Sequence, residues 1–173
     1  MRLTSRMSQN SRQETFYEFR KQKYGYLLTT DVAARGVDIP DVQTVIQFDC
    51  PTCVSEYQHR CGRCTRMSRI GMSVLFLPSC ECFFKKELEK AQLQFEDRHV
   101  KLRNAVSVRD ALCMTVASDP RLKALSELAL KSYYRSLMSQ KDKRVFRISD
   151  YDFNKISQSY GLEMQVQMVS EDA

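Results

Sequence analysis

The spacing of apolar positions changes several times along the chain, and each change marks an element. In SRQETFYEFRKQK the polar background is broken by Phe16 and Phe19, three apart and on one face of a helix that Gly25 should stop. YLLTT, residues 26–30, is a short apolar run that reads as a buried strand. DVAARGVDIP is a loop closed by Pro40, and VQTVIQFD, residues 42–49, is a second strand. Pro51 and Thr52 open a helix over about 54–64, with Ser55 and Gln58 at capping-box spacing. GMSVLFLP, residues 71–78, is a third strand, after which Ser79 can cap the charged helix ECFFKKELEKAQ. Strands alternating with helices at this rhythm predict βαβ units, a parallel sheet and the α/β class. Ligands of such sheets sit at the carboxyl ends of the strands, where DVAARG and HRCGR both fall.

Beyond residue 95 the pattern loosens. Residues 95–118 read as a linker with a turn or two of helix. The strongest helical signal is 119–140: Asp119 as N-cap, Pro120 in the first turn, and Leu122, Leu125, Ala129 and Tyr133 on a common face. VFRI reads as extended, and Asp150 to Tyr160 as a last helix stopped by Gly161. The expected division is 1–94 for the α/β domain, 95–118 for the linker, 119–165 for a helical extension and 166–173 for a tail. No strand is evident before the first helix, so the α/β domain is expected to be truncated at its N-terminal side.

Composition narrows the functional classes only a little. With 27 Lys and Arg against 21 Asp and Glu, the net charge of +6 suits a polyanionic partner without requiring one. No apolar run reaches membrane-spanning length, and MRLTSRMSQN has no apolar core of a secretory signal. Seven cysteines in such a chain are expected as free thiols.

Four of those cysteines form two C-x2-C pairs, Cys50 with Cys53 and Cys61 with Cys64, which raises a zinc site. The seven-residue spacer is short for a zinc module, and the second pair lies in a helical segment with three arginines. No metal ligand is therefore assigned, and a zinc-dependent structural module is the less favoured alternative. In HRCGRCTR the arginines at 60, 63 and 66 are three apart, which on one helix would give a cationic face. Such a row repels itself unless an anion fills it; the competing explanation is a solvated basic face.

TTDVAARGVDIP (29–40) and HRCGRCTR (59–66), linked by IQFDCP and SEYQ, resemble in order and spacing two motifs of the DEAD-box RNA helicases, and MSQNSR (7–12) resembles their Q-x-x-R element. The resemblance covers residues 3 to about 90 and implies a RecA-like three-layer domain. SDPRLKALSELALKSYYRSLMSQKDKRVF further resembles the C-terminal extension of nucleolar ribosome-biogenesis members. It implies ATP with Mg²⁺ as cofactor, the metal held mainly by a first RecA-like domain. Partners would be RNA, in particular an rRNA precursor, that first domain, and pre-ribosomal proteins. The setting would be the nucleus and nucleolus.

Carried over by resemblance, Arg63 and Arg66 reach the γ-phosphate, with Arg66 as the arginine finger, and Asp38 accepts from the ribose. His59 couples the nucleotide cleft to the RNA side. Gln9, Arg12, Thr30, Arg35 and Gly36 contact RNA phosphates and sugars, and Arg60 is an ion-pair partner within the domain. Thr65 and Cys64 depart from the family pattern, LTSRM lacks its His-Gly, and neither G-x-x-x-x-G-K-T nor Asp-Glu-Ala-Asp occurs. A non-catalytic RNA-binding module is the other alternative.

Overall fold

In the computed structural model, residues 1–31, 42–64, 71–99 and 107–162 are described. The chain divides into two compact units, 1–78 and 79–173.

The first unit holds β1 (Arg2–Leu3), α1 (Gln9–Lys21), β2 (Leu28–Thr29), β3 (Thr44–Gln47), α2 (Val54–Cys61) and β4 (Met72–Leu75). Both strand pairs are parallel, as the strand–helix alternation requires. β1 runs beside β2 with Leu3 opposite Thr29, and β3 beside β4 with Ile46 opposite Val74. α1 starts where the Ser8 hydroxyl accepts from the Ser11 N–H, and it ends at Lys21, four residues before Gly25, because Gln22 turns extended. Phe16 and Phe19 pack with Leu27 and Val42 on Leu3, which is 1% exposed.

Two expectations need correcting here. A strand does precede the first helix: Arg2–Leu3 is too short to show as a pattern, yet its one inward side chain organises this cluster. The run 26–30 is not a buried strand, since only Leu28–Thr29 pair and both are exposed. The pleat sends Leu27 inward and turns Tyr26 and Leu28 out.

The second unit holds a 3₁₀ turn at Ser79–Glu81, α3 (Phe84–Lys90), α4 (Arg109–Ser118), α5 (Pro120–Ser139), a 3₁₀ turn at Ile148–Asp150 and α6 (Phe153–Ser159). The expected helix over ECFFKKELEKAQ breaks into turn and helix, because Phe84 and Leu88 must both face inward while Glu81 is itself buried. Ten helical residues, α4, lie in the stretch read as a linker. Asp119 caps α5 by accepting from the Arg121 N–H at 2.8 Å. The buried stripe of α5, however, is Leu130 and Leu137, and Leu122 and Leu125 remain exposed. The reason is positional: Val116 of α4 and Leu162 after α6 meet the helix beyond its midpoint, so Leu130 joins them and the first two turns project free of the core.

VFRI is not extended. The Phe146 N–H bonds the Asp142 carbonyl at 2.9 Å, a turn that buries Val145 and Phe146. α6 begins at Asp152, whose carboxylate accepts from the N–H groups of Asn154 and Lys155. Gly161 then adopts φ 75°. This left-handed step lets the Leu162 N–H bond the Ser157 carbonyl at 3.0 Å and returns Leu162 to the core.

One buried polar contact spans the second unit: the Tyr151 hydroxyl donates to Glu81 Oε1 at 2.7 Å. Burial, followed by the Glu81 carboxylate, pushes the Tyr151 hydroxyl far up, so it stays a donor. A hydrogen bond to a charged acceptor contributes about 1.5–3 kcal/mol. Tyr151→Phe should therefore lower the unfolding free energy by about that much, read from urea denaturation, whereas Tyr17→Phe on the surface should change it little.

Candidate nucleotide and RNA site

The site is built on the turn from β3 into α2. Thr52 offers both its N–H and its hydroxyl to Glu56 Oε2, at 2.6 and 2.8 Å. This pairing, not the Ser55–Gln58 box, pins the helix start; Thr52 lies one residue before the N-cap Cys53, outside the spacing the box pattern tests. The other Glu56 oxygen accepts from Arg60 Nη2 at 3.1 Å, one turn on. Arg60 also grips Asp31 with two bonds, Nε at 2.8 Å and Nη2 at 3.1 Å, and gives Nη1 to the Asp49 carbonyl at 2.9 Å. One guanidinium thus ties α2 to the residues following β2 and β3, as expected for an internal ion-pair partner. Burial, together with Glu56, pushes the Asp31 carboxyl up against the pull of Arg60. Burial would also raise Glu56, but its contact with Asp31, the Thr52 bonds and the Arg60 charge outweigh it and hold it at about 2.

The helix ends sooner than its pattern implied. After Cys61 the chain tightens: the Arg63 N–H bonds the Arg60 carbonyl at 3.1 Å and the Cys64 N–H the Cys61 carbonyl at 3.0 Å. Arg60 and Arg63 consequently do not share a helix face. Arg60 turns inward to its carboxylates, while Arg63 sits beyond the last turn with Nε toward the His59 carbonyl at 3.4 Å. His59 is exposed on the last turn of α2. The turn is packed tightly from behind. A Cβ on Gly71 would lie 1.8 Å from the Cys64 carbonyl oxygen, so only glycine lets the chain entering β4 pass there.

Beneath α2, Gln47 donates to Ser73 Oγ at 3.1 Å and to Cys61 Sγ at 3.3 Å. The Tyr57 hydroxyl is pushed up to about 12 by burial and then by Cys61. The four cysteines of the C-x2-C pairs go separate ways. Cys50 Sγ faces the Pro51 carbonyl, Cys53 is exposed, Cys61 bonds Ser73, and Cys64 Sγ faces the Cys61 carbonyl. Among the described residues no cluster of three or more His, Cys, Asp or Glu is placed to hold a metal.

On the other strand pair, Gln9 and Arg12 stand one turn apart at the start of α1, Gln9 exposed and Arg12 half-buried with its Nε shielded and without a hydrogen-bond partner. Thr30 follows β2, its N–H bonded to the Leu3 carbonyl at 3.2 Å. Thr30 lines an open groove of about 450 Å³ with Arg2, Thr4, Ser5, Arg6 and Met7. Sequence reasoning missed those five residues; their signal was the polar run RLTSRM directly before the Q-x-x-R element. Arg35, Gly36, Asp38 and Arg66, with Thr65, lie outside the described residues.

The family profile of the helicase conserved C-terminal domain matches residues 1–68, and that of the ATP-dependent rRNA helicase SPB4-like C-terminal extension matches residues 119–165. The ATP-dependent RNA helicase dbp4 of Aspergillus terreus is 40% identical over 163 residues, 94% of this chain and 20% of that protein. The chain belongs to the DEAD-box RNA helicases. It spans about a fifth of the length of such curated relatives. Among solved DEAD-box structures, Mss116p bound to ssRNA and AMP-PNP superposes with TM-score 0.64 at 26% identity, covering 91% of this chain and 31% of that one. Domain 2 of Mss116p bound to an RNA duplex gives 0.65 at 27% identity, covering 93% of this chain and 62% of that one. The DEAD-box likeness confirms the expected α/β, RecA-like class with its parallel strand pairs.

The Glu56 carboxyl lies below its ordinary 4.5, so its charge contributes stability that is complete above about pH 4.5 and lost as pH falls toward 2. Asp31, shifted upward, acts in the opposite sense and offsets part of this. Glu56→Gln should flatten the fall of the urea midpoint between those pH values, whereas Glu14→Gln on the surface of α1 should leave it unchanged.

Proposed function

We propose that the chain serves as the second RecA-like half of an ATP-dependent RNA helicase that remodels pre-rRNA in the nucleolus. In this proposal residues 1–94 form the RecA-like part, 95–118 the connection, 119–165 the extension and 166–173 a tail. The observation that carries the reading is where HRCGRCTR places two of its arginines: Arg60 ties α2 to Asp31, Glu56 and the Asp49 carbonyl, and Arg63 follows past the helix end with Nε toward the His59 carbonyl. An arginine held inside makes the element rigid, and a guanidinium beyond the last turn suits a phosphate, which it meets with planar, paired donors. The names of the relatives and the nucleotide-bound and RNA-bound Mss116p structures support ATP and RNA as the ligands.

In this reading Arg63 and Arg66 face the γ-phosphate of ATP bound mainly by a first domain, and Asp38 orients the ribose. ATP with Mg²⁺ supplies the phosphoryl group whose transfer to water drives release of RNA. His59, on the last turn of α2 beside Arg63, couples that cleft to the RNA track. Gln9, Arg12, Thr30, Arg35 and Gly36 form one wall of the track, and such backbone contacts carry no sequence code. Pre-ribosomal proteins are the expected company of the extension.

Joined to a first domain, the protein should lose turnover on Arg66→Ala while keeping most of its RNA affinity. A finger acts on charge that develops in the transition state, so its loss falls on kcat. Such arginines are worth about 10³–10⁵ in rate. Steady-state ATPase assays with filter-binding controls measure both quantities, and a kcat within a few-fold of the parent would defeat the assignment.

Single-stranded RNA should bind the chain weakly and with little sequence preference. On a single strand the salt slope is roughly −0.7 per phosphate neutralised. Arg35→Ala should lower affinity for unrelated sequences alike and flatten the slope by close to one contact. Lys143→Ala in the extension is the control for diffuse attraction by the +6 net charge. Equal effects of the two substitutions across a salt series would remove the site-specific wall.

A further inference from the structure

Among the described residues the C-x2-C thiols form no metal cluster, yet one pair stays together. Cys61 is the last residue of α2, and the Cys64 N–H bonds the Cys61 carbonyl at 3.0 Å, so a single 3₁₀ turn joins the two. Side chains three apart in such a turn eclipse one another, and the turn holds its end Cα atoms within about 7 Å. A disulfide asks for Cα atoms roughly 4.4–6.8 Å apart. Cys61 Sγ donates to Ser73 Oγ at 3.3 Å and accepts from Gln47 Nε2 at 3.3 Å, while Cys64 Sγ lies 3.2 Å from the Cys61 carbonyl oxygen. Burial and then Cys61 push the Cys64 thiol up, and the Tyr57 hydroxyl feels both thiols, which marks the two sulfurs as neighbours. The other pair is arranged differently, with Cys53 extended at φ −160° and exposed while Cys50 is buried.

Exposure sets an order of reaction. Cys61 is partly exposed, whereas Cys64 is only 4% exposed. An incoming disulfide therefore meets Cys61 first, and Cys64 acts afterwards from within the turn. The Cys61 thiolate attacks one sulfur of the incoming disulfide, whose S–S bond breaks and releases one thiol. The Cys64 thiolate then attacks the Cys61 sulfur, and the second thiol leaves. The pair gives up two electrons and two protons, and the incoming disulfide becomes two thiols. The new bond draws Cys61 Sγ toward Cys64 and away from Gln47 and Ser73, its two contacts beneath α2.

We propose that Cys61 and Cys64 form a dithiol modification site, which low-molecular-weight disulfides of the glutathione class close reversibly to a disulfide, loosening the end of α2 from Gln47 and Ser73. Arg63 lies between the two cysteines, so the reaction acts on the turn that presents it. Cys64 is one of the positions at which this chain departs from the family pattern, so the site belongs to this chain and not to the fold. Its consequence for Arg63 at a phosphate rests on the ATP reading; the disulfide itself does not.

The test incubates the 173-residue chain with oxidised glutathione, alkylates the remaining thiols and maps peptides after trypsin. Trypsin cuts after Arg60, Arg63 and Arg66, so the disulfide leaves residues 61–63 and 64–66 joined. This joined fragment should accumulate ahead of every other disulfide and vanish when dithiothreitol is added. Cys64→Ser should stop the reaction at one glutathione on Cys61, whereas Cys61→Ser should leave Cys64 without glutathione. Far-UV circular dichroism checks both variants, and the map of the parent chain decides the site even where a variant fails to fold. In the NMR spectrum the side-chain amide signals of Gln47 should shift on oxidation and return on reduction. Retention of Cys61 and Cys64 as thiols while the exposed Cys53 takes up glutathione overturns the proposal, as does Cys64 paired with any other cysteine. Gln47 signals that stay in place once the disulfide has formed also overturn it. No readout involves ATP or RNA, so failure of this site is distinguished from failure of that reading.

Discussion

The arrangement of the first unit depends on one guanidinium. Arg60 holds Asp31 with two bonds, Glu56 with one and the Asp49 carbonyl with one, and thereby joins segments that follow two different strands to the helix between β3 and β4. Two carboxylates that share an arginine would repel each other without it. The arginine, 17% exposed at its side chain, would in turn be costly to bury without them. Arginine is suited to this because its planar fork can serve several acceptors at once, which a lysine point charge cannot.

What Arg60 steadies is the chain immediately after it. Cys61 is gripped from below by Gln47 and Ser73, and Gly71 leaves space for the Cys64 carbonyl. The tightened turn between these supports presents Arg63. In the proposed role of Arg63 at a phosphate this placement is what counts, because in phosphoryl transfer the protein contributes geometry and charge rather than covalent chemistry.

The second unit solves a different problem, that of building a core from short helices. Two devices recur. Carboxylates at Asp119 and Asp152 start α5 and α6, and a left-handed glycine at position 161 ends α6 and swings Leu162 back onto Val116 and Leu130. The Glu81–Tyr151 bond then links the first residues of this unit to the segment just before α6, 70 positions apart in sequence. Such a contact specifies one arrangement, because a buried carboxylate tolerates few alternatives.

Much of this was legible in the order of residues. The strand–helix alternation announced parallel pairing, Asp119 with Pro120 announced α5, and HRCGRCTR with TTDVAARGVDIP announced the family, because local signals depend only on neighbours a few positions away. Arg60 as an internal ion-pair partner came from the resemblance, but its partners at 31, 49 and 56 were not visible. The two-residue strand β1 was too short to register. The burial of Leu130 instead of Leu122 on α5, and the turn that parts Arg63 from the face of Arg60, both depended on what packs against each helix. Sequence periodicity determines which faces of an element could be buried; only the tertiary structure decides which partner arrives and where along the element it lands. That is also why VQTVIQFD and GMSVLFLP read simply as strands, while the folded chain sets Gln47 and Ser73 toward α2 and leaves Ile46 and Met72 exposed.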